Sequence, residues 1–189
     1  MKILYINGHP YTKSFHAAIR DEYVAAAKAN GHTVEILNLG ERTFDPVLRF
    51  GYSERMAQDD VIDESQRLVK EADHLVFAYP LWWGTPTSLL MGWIARVFTP
   101  GFSYHIISLT RTERFLAGKT ADIIITSRAP RFAWPFVGNG GAAPLTKNLF
   151  YLTGIKKRKI VVLDFMSLKQ DTLARREKFL KKVSRIAQL

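Results

Sequence analysis

Two short segments hold residue types that can bind a phosphate and a flat aromatic ring. The first is Asn7-Gly8-His9-Pro10-Tyr11-Thr12-Lys13-Ser14-Phe15-His16, which leaves an apolar run and enters a helical pattern. A helix N-terminus presents unpaired backbone N–H groups and the positive end of the aligned peptide dipoles, so phosphate can sit there. Thr12 and Ser14 add hydroxyls, while Lys13, His9 and His16 add positive or hydrogen-bonding character at the same point. Neither the G-x-G-x-x-G dinucleotide fingerprint nor the nucleotide P-loop pattern occurs in it. An ordinary capped strand-to-helix turn accounts for these residues equally well.

The second segment is Ala78-Tyr79-Pro80-Leu81-Trp82-Trp83-Gly84-Thr85-Pro86. Two adjacent tryptophans in a loop call for something flat to pack on them, such as an isoalloxazine or quinone ring, or else for burial in a core or dimer contact. Pro80 and Pro86 restrict this loop, and Gly84 lets a ligand edge approach backbone N–H and C=O groups. A third segment, Thr126-Ser127-Arg128-Ala129-Pro130-Arg131, is followed by Phe132, Trp134, Phe136 and Gly138-Asn139-Gly140-Gly141. Arg128 is read either as a cation facing a ligand carbonyl or phosphate, or as a plain surface charge. His74 and His105 have no partners at metal-ligand spacing, so no metal is expected.

The elements that position these segments follow from periodicity. Apolar runs at 2–6, 33–37, 74–79, 121–126 and 159–163 read as strands buried on both faces. Helical patterns at 14–29, 62–72, 86–98, 142–152 and 171–187 alternate with them, which implies a parallel sheet wound on both sides. Ser14 and Asp60 are expected helix caps, Pro86 a helix start, and Gly31 and Gly154 helix stops. In such a sheet, ligands bind outside the carboxyl ends of the strands near the switch point, where the first two segments fall. Connections at 38–60, 99–118 and 127–141 are long enough to build a pocket.

Composition narrows the function classes. With no cysteine, disulfides, thiolate metal sites and a cysteine nucleophile are excluded. Together with the lack of a signal-type apolar run after Met1-Lys2, this points to a cytoplasmic protein without membrane insertion. The net charge of +10 raises the question of polyanions. Much of it lies at Lys156-Lys157-Arg158-Lys159 and on a last helix whose Phe179, Leu180, Val183 and Ile186 recur at helical spacing, so those cations read as a solvated face. No specific nucleic-acid partner is expected.

The chain resembles the NAD(P)H quinone oxidoreductase family, a flavodoxin-like group. The matching residues are Asn7-Gly8-His9-Pro10 with Ser14-Phe15, Phe44-Asp45-Pro46, Pro80 to Pro86, Leu89 to Phe98 and Gly101-Phe102-Ser103-Tyr104. The resemblance implies an α/β flavodoxin-like, doubly wound, five-stranded parallel sheet in the order 2-1-3-4-5, with residues 1–189 as one flavin-binding domain. It implies FMN or FAD held by His9, Ser14, Phe15 and His16 at the phosphate and by Pro80, Leu81, Trp82 and Trp83 at the ring. Thr126, Ser127 and Arg128 complete the expected cofactor set, and Tyr104 is expected to edge the substrate pocket.

The implied activity is hydride transfer from NAD(P)H to the flavin and on to a quinone-like acceptor by ping-pong exchange, in a homodimer. No side chain is expected to act as the catalytic group. Quinone reductases often carry a Thr-Thr-Gly-Gly turn after the fourth strand, with a downstream Tyr and His; Thr126-Ser127-Arg128-Ala129 departs from it. That departure motivates an alternative, a regulatory flavoprotein subunit that binds a partner such as a transporter domain. A one-electron flavodoxin-type carrier fits the basic balance and large aromatic loops less well.

Overall fold

Tyr5, Val76 and Ile124 are buried in the middle of three adjacent strands, and the rest of the architecture is built outward from them. The computed structural model describes residues 1–54, 56, 57, 59–136 and 141–189. Five parallel strands form the main sheet: β1 (Lys2–Asn7), β2 (Thr33–Asn38), β3 (His74–Leu81), β6 (Thr120–Ser127) and β7 (Lys156–Leu163), in the spatial order β2-β1-β3-β6-β7. An antiparallel hairpin, β4 (Tyr104–Ser108) and β5 (Arg111–Arg114), stands apart from it. The hairpin lies inside the 99–118 connection, which the sequence reading left without strands. Its short, mostly exposed strands lack the apolar run that marks the others.

The helices are α1 (Phe15–Ala29), α2 (Asp60–Glu71), α3 (Ser88–Val97), a π-helical stretch Pro144–Leu149 that continues as α4 (Phe150–Thr153), and α5 (Leu173–Ile186). Because strand side chains alternate between faces, Leu4, Ile6, Phe77, Tyr79, Ile123 and Ile125 pack with Trp93, Leu90, Val69 and Phe150. On the opposite face Ile3, Tyr5, Val76 and Ala78 meet Ile19 and Tyr23 of α1 and Phe179 and Val183 of α5. The cations Lys178, Lys181, Lys182 and Arg185 are exposed on the outer face of α5.

Three expectations need correction. Burial on both faces holds for β1, β3 and β6. The edge strands β2 and β7 are largely exposed or half-buried, since each has a neighbour on one side only. Asp59, one residue before Asp60, caps α2 by accepting the N–H groups of Val61 at 3.0 Å and Ile62 at 3.3 Å. Ser14 does occupy the N-cap position of α1, yet its side chain makes no capping bond.

Candidate functional site

The loop after β1 and the turn after β3 meet at the carboxyl edge of the sheet. The Gly8 N–H donates to Ala78 O at 2.8 Å, and the Thr87 hydroxyl donates to Gly8 O at 2.7 Å while accepting the Leu90 N–H. Thr87 is thus both the N-cap of α3 and a clasp on the first loop. A Cβ on Gly8 would stand 3.1 Å from the Leu90 side chain, so only glycine allows so close an approach without displacement. Sequence reading passed over Thr87; Thr-x-x-Leu ahead of an apolar helix was the available signal.

Three predicted residues converge at the start of α1. The His9 ring lies 5.4 Å from the His16 ring and 5.6 Å, edge to face, from Trp82. His9 Nδ1 accepts the Tyr11 N–H at 3.0 Å, which leaves Nε2 to carry the proton of the neutral ring. His16 is 2% exposed and its Nε2 lies 2.9 Å from Thr126 Oγ1 on β6. Burial, reinforced by His9, pushes the His16 pKa down to about 3; burial also lowers that of His9. Both rings are therefore neutral near pH 7.

Several polar atoms at this point are unspent. Ser14 Oγ and His16 Nδ1 are buried without hydrogen-bond partners, and the first turn of α1 contains no acidic residue. Buried polar atoms are ordinarily paired, so this set fits a phosphate oxygen. The turn beyond it is tight: Trp82 and Thr85 exchange two backbone hydrogen bonds of 3.0 Å each, and Trp83 and Gly84 both have positive φ, 53° and 73°. That is a two-residue turn of the I′ type, which aims side chains outward. Trp82 is 47% exposed and Trp83 100% exposed. Neither tryptophan is a core filler, and Trp82, beside His9, offers a flat apolar surface next to the start of α1.

The remaining predicted residues divide. Pro80 and Leu81 end β3, paired with Thr126 and Ser127 of β6, and Leu81 packs against Gly141. Ser127 is buried, its hydroxyl donating to Ala129 O. Arg128 is exposed, and among the described residues it has no ion-pair or hydrogen-bond partner. The ring of Phe15 turns away from the cleft: Arg176 of α5 stands 5.0 Å over it, so only its backbone can serve a phosphate. Tyr104 begins the hairpin, and among the described residues none of its bonds or ring contacts reaches His9, His16 or Trp82. Trp134 is buried in the core, whereas Phe132 is exposed. Val137 to Gly140 lie outside the described residues.

A cavity of 1010 Å³ is lined by Tyr52, Asp59, Ile62, Arg96 and Phe102 among others, and by none of the residues of these two loops. The guanidinium on its wall is already engaged, by Asp45 O and by Asp59 at 3.9 Å. Among the described residues no cluster of three or more potential ligands could hold a metal ion.

Comparison with known proteins sets this geometry in a family. Residues 1–186 match the family described as the flavodoxin-like fold. The chain belongs to the flavodoxin-like NAD(P)H quinone oxidoreductase family. Within the wider family it is similar to NAD(P)H dehydrogenase (quinone) 1 from Cavia porcellus, at 32% identity over 148 residues, covering 67% of this chain and 53% of that protein. The chain spans less than two thirds of the length of several such curated relatives. A crystal structure of Smu.1420 from Streptococcus mutans is similar over 100% of this chain and 99% of that one, with 34% identity and a TM-score of 0.83. The FMN-dependent NADH-azoreductase from Bacillus anthracis, solved with FMN, shares the fold at 19% identity, with a TM-score of 0.80 and coverage of 98% and 97%. No helix among the described residues is long and apolar enough to cross a membrane.

Proposed function

We propose that this chain is a flavin-dependent NAD(P)H oxidoreductase that reduces quinones or similar flat acceptors, with FMN as the flavin. The observation that carries the reading is the meeting of a phosphate seat with an aromatic platform. Ser14 and His16 keep unspent polar atoms at the start of α1, and His9 bridges that point to Trp82. FMN ends in a single phosphate, which matches one helix N-terminus, and the azoreductase that shares the fold is named for FMN.

When bound, the flavin supplies hydride acceptance from NAD(P)H and two-electron delivery to the acceptor, the two substrates taking turns in ping-pong order. The chain's own residues do the holding. Ser14, His16 and the first N–H groups of α1 bind the phosphate; Pro80, Leu81 and the backbone of the Trp82 turn face the ring; Trp83 keeps water from one side of it. Arg128, exposed just after β6, would meet a cofactor phosphate or carbonyl. We read residues 1–189 as one flavin-binding unit acting in the cytoplasm. Exposed Val47, Phe50, Tyr52, Ile106, Leu109 and Phe115 support a homodimer, in which Tyr104 of each subunit would edge a substrate pocket.

Titrating the purified chain with FMN and with FAD, then following NAD(P)H consumption with and without an added quinone, tests the reading. A yellow complex with quinone-dependent turnover is expected; a colourless protein that binds neither flavin would sink it. The alternative, a regulatory flavoprotein subunit binding a transporter domain, is favoured by the exposure of Arg128 and Phe132 on the segment after β6. Flavin binding without turnover on a broad acceptor panel, with stable capture of such a domain, would select it.

A further inference from the structure

The flavin reading leaves unexplained why a histidine, buried at the positive end of a helix, is tied to a hydroxyl on a different strand. We propose that Thr126 is a positioning residue: its hydroxyl donates to His16 Nε2 and so fixes His16 as the Nδ1–H tautomer, a neutral donor reserved for a phosphate oxygen at the start of α1. The inference rests on the flavin reading of this cleft.

The argument begins with what each ring nitrogen can do. A neutral imidazole has one donor and one acceptor nitrogen, and the partner of one decides the role of the other. His16 Nε2 has Thr126 Oγ1 at 2.9 Å, whereas Nδ1 is buried with no partner. A bare acceptor there would meet a phosphate oxygen lone pair to lone pair and offer it only repulsion. A bare N–H instead joins Ser14 Oγ and the backbone donors in one set aimed at an anion.

The surroundings keep the ring uncharged in the ligand-free protein. Burial comes first, and the ionisable group acting on it is His9, 5.4 Å away ring to ring. The group facing it from β6 is the uncharged Thr126, and Trp82 borders His9 from the β3 turn. On α5, Arg176 is engaged by Asp171 at 2.7 Å. His9 has its own Nδ1 committed to the Tyr11 N–H, and a backbone N–H can only donate, so His9 is likewise held as a neutral Nε2–H donor. Thr126 therefore acts through His16, since its hydroxyl is spent there rather than on a cofactor.

The test compares affinities for FMN and for riboflavin, which lacks the phosphate, and reads the ring tautomer by 15N NMR. In Thr126→Val, FMN affinity is expected to fall about 10- to 100-fold, the worth of one hydrogen bond to a charged group, with riboflavin affinity unchanged. Thr126→Ser should restore it, and His16→Asn, which keeps an amide donor, should stay within a few fold of the wild type. NMR should show a neutral Nδ1–H ring in the protein with FMN. An Nε2–H or cationic ring in that complex overturns the proposal, as does an equal loss of FMN and riboflavin in Thr126→Val. If neither flavin binds, the flavin reading fails on its own. The proposal is then decided by the His16 ring signals in inorganic phosphate, where an Nδ1–H donor supports it and any other state ends it.

Discussion

The Tyr79 hydroxyl donates to Gly141 O at 3.0 Å across 62 residues of sequence, and this one bond ties the segment returning from the third loop to the centre of the sheet. Tyr79 is fully buried on β3, and burial pushes its pKa up, so it is always a donor. Gly141 has φ 61°, and a Cβ there would run into the Leu81 side chain. Removing the hydroxyl in Tyr79→Phe leaves a buried carbonyl unpaired, which should lower stability by about 1–3 kcal/mol. Urea denaturation measures this, and amide exchange at 141–149 should quicken by more than exchange in β1. Equal exchange changes everywhere would mean the bond does not tie that segment.

Asp122 anchors the far edge of the sheet. It is fully buried on β6, and it accepts from Arg158 Nε at 3.1 Å and from the Lys159 N–H at 3.0 Å, with His74 Nε2 at 3.4 Å. The pairing of β6 with β7 slips by one residue at this point, a bulge that brings Arg158 and the Lys159 N–H onto the same carboxylate. Arg158→Ala would strand a buried charge and should cost about 3–5 kcal/mol. Adding Asp122→Asn should recover much of that loss. A double variant as unstable as the single one would show that Arg158 acts through packing instead.

Acid should weaken the ligand-free protein in two windows. His16 in the folded state titrates at about 3, below the roughly 6.5 of an unfolded histidine. The unfolded chain then binds a proton the folded one refuses, so stability falls as pH drops from about 6.5 toward 3. Asp171 is held at about 2, first by its hydrogen bond to Arg176. Its contribution is present above the ordinary carboxylate value and is lost as pH falls through about 2. Denaturation midpoints measured from pH 8 to 2 should fall through both windows. His16→Asn should flatten the upper one and leave the lower unchanged.

What the sequence made legible follows from what each signal rests on. Three strands buried on both faces announce themselves as unbroken apolar runs, and β3 from His74 through Tyr79 is the plainest. The edge strands β2 and β7 still carry apolar runs, at 33–37 and 159–163, whereas the exposed hairpin at Tyr104–Arg114 carries none, so the hairpin stayed invisible. At the site, the Trp82-Trp83-Gly84 turn was readable because exposed tryptophans in a restricted loop need a reason. The tie between His16 and Thr126 was not, because it joins residues 110 apart through the strand order. The direction of the Phe15 ring was not legible for a related reason: it is set by Arg176 of α5, a residue 161 positions away in sequence.

Trp83 gives the last prediction, in which stability and binding move in opposite directions. It holds φ at 53° and is wholly exposed, so its side chain stabilises nothing in the free fold while its backbone sits where bulky L-residues are strained. Asn-Gly is the favoured pair for a I′ turn. Trp83→Asn should therefore raise stability by about 1 kcal/mol or leave it unchanged, while FMN affinity drops about tenfold or more through loss of the platform. Thermal denaturation and FMN fluorescence titration read the two effects separately. A destabilised variant would mean that Trp83 packs against the fold in solution, and an unchanged FMN affinity would remove the indole from the site. Strain kept at an exposed indole, with no return in the free fold, is what a residue held for a ligand is expected to show.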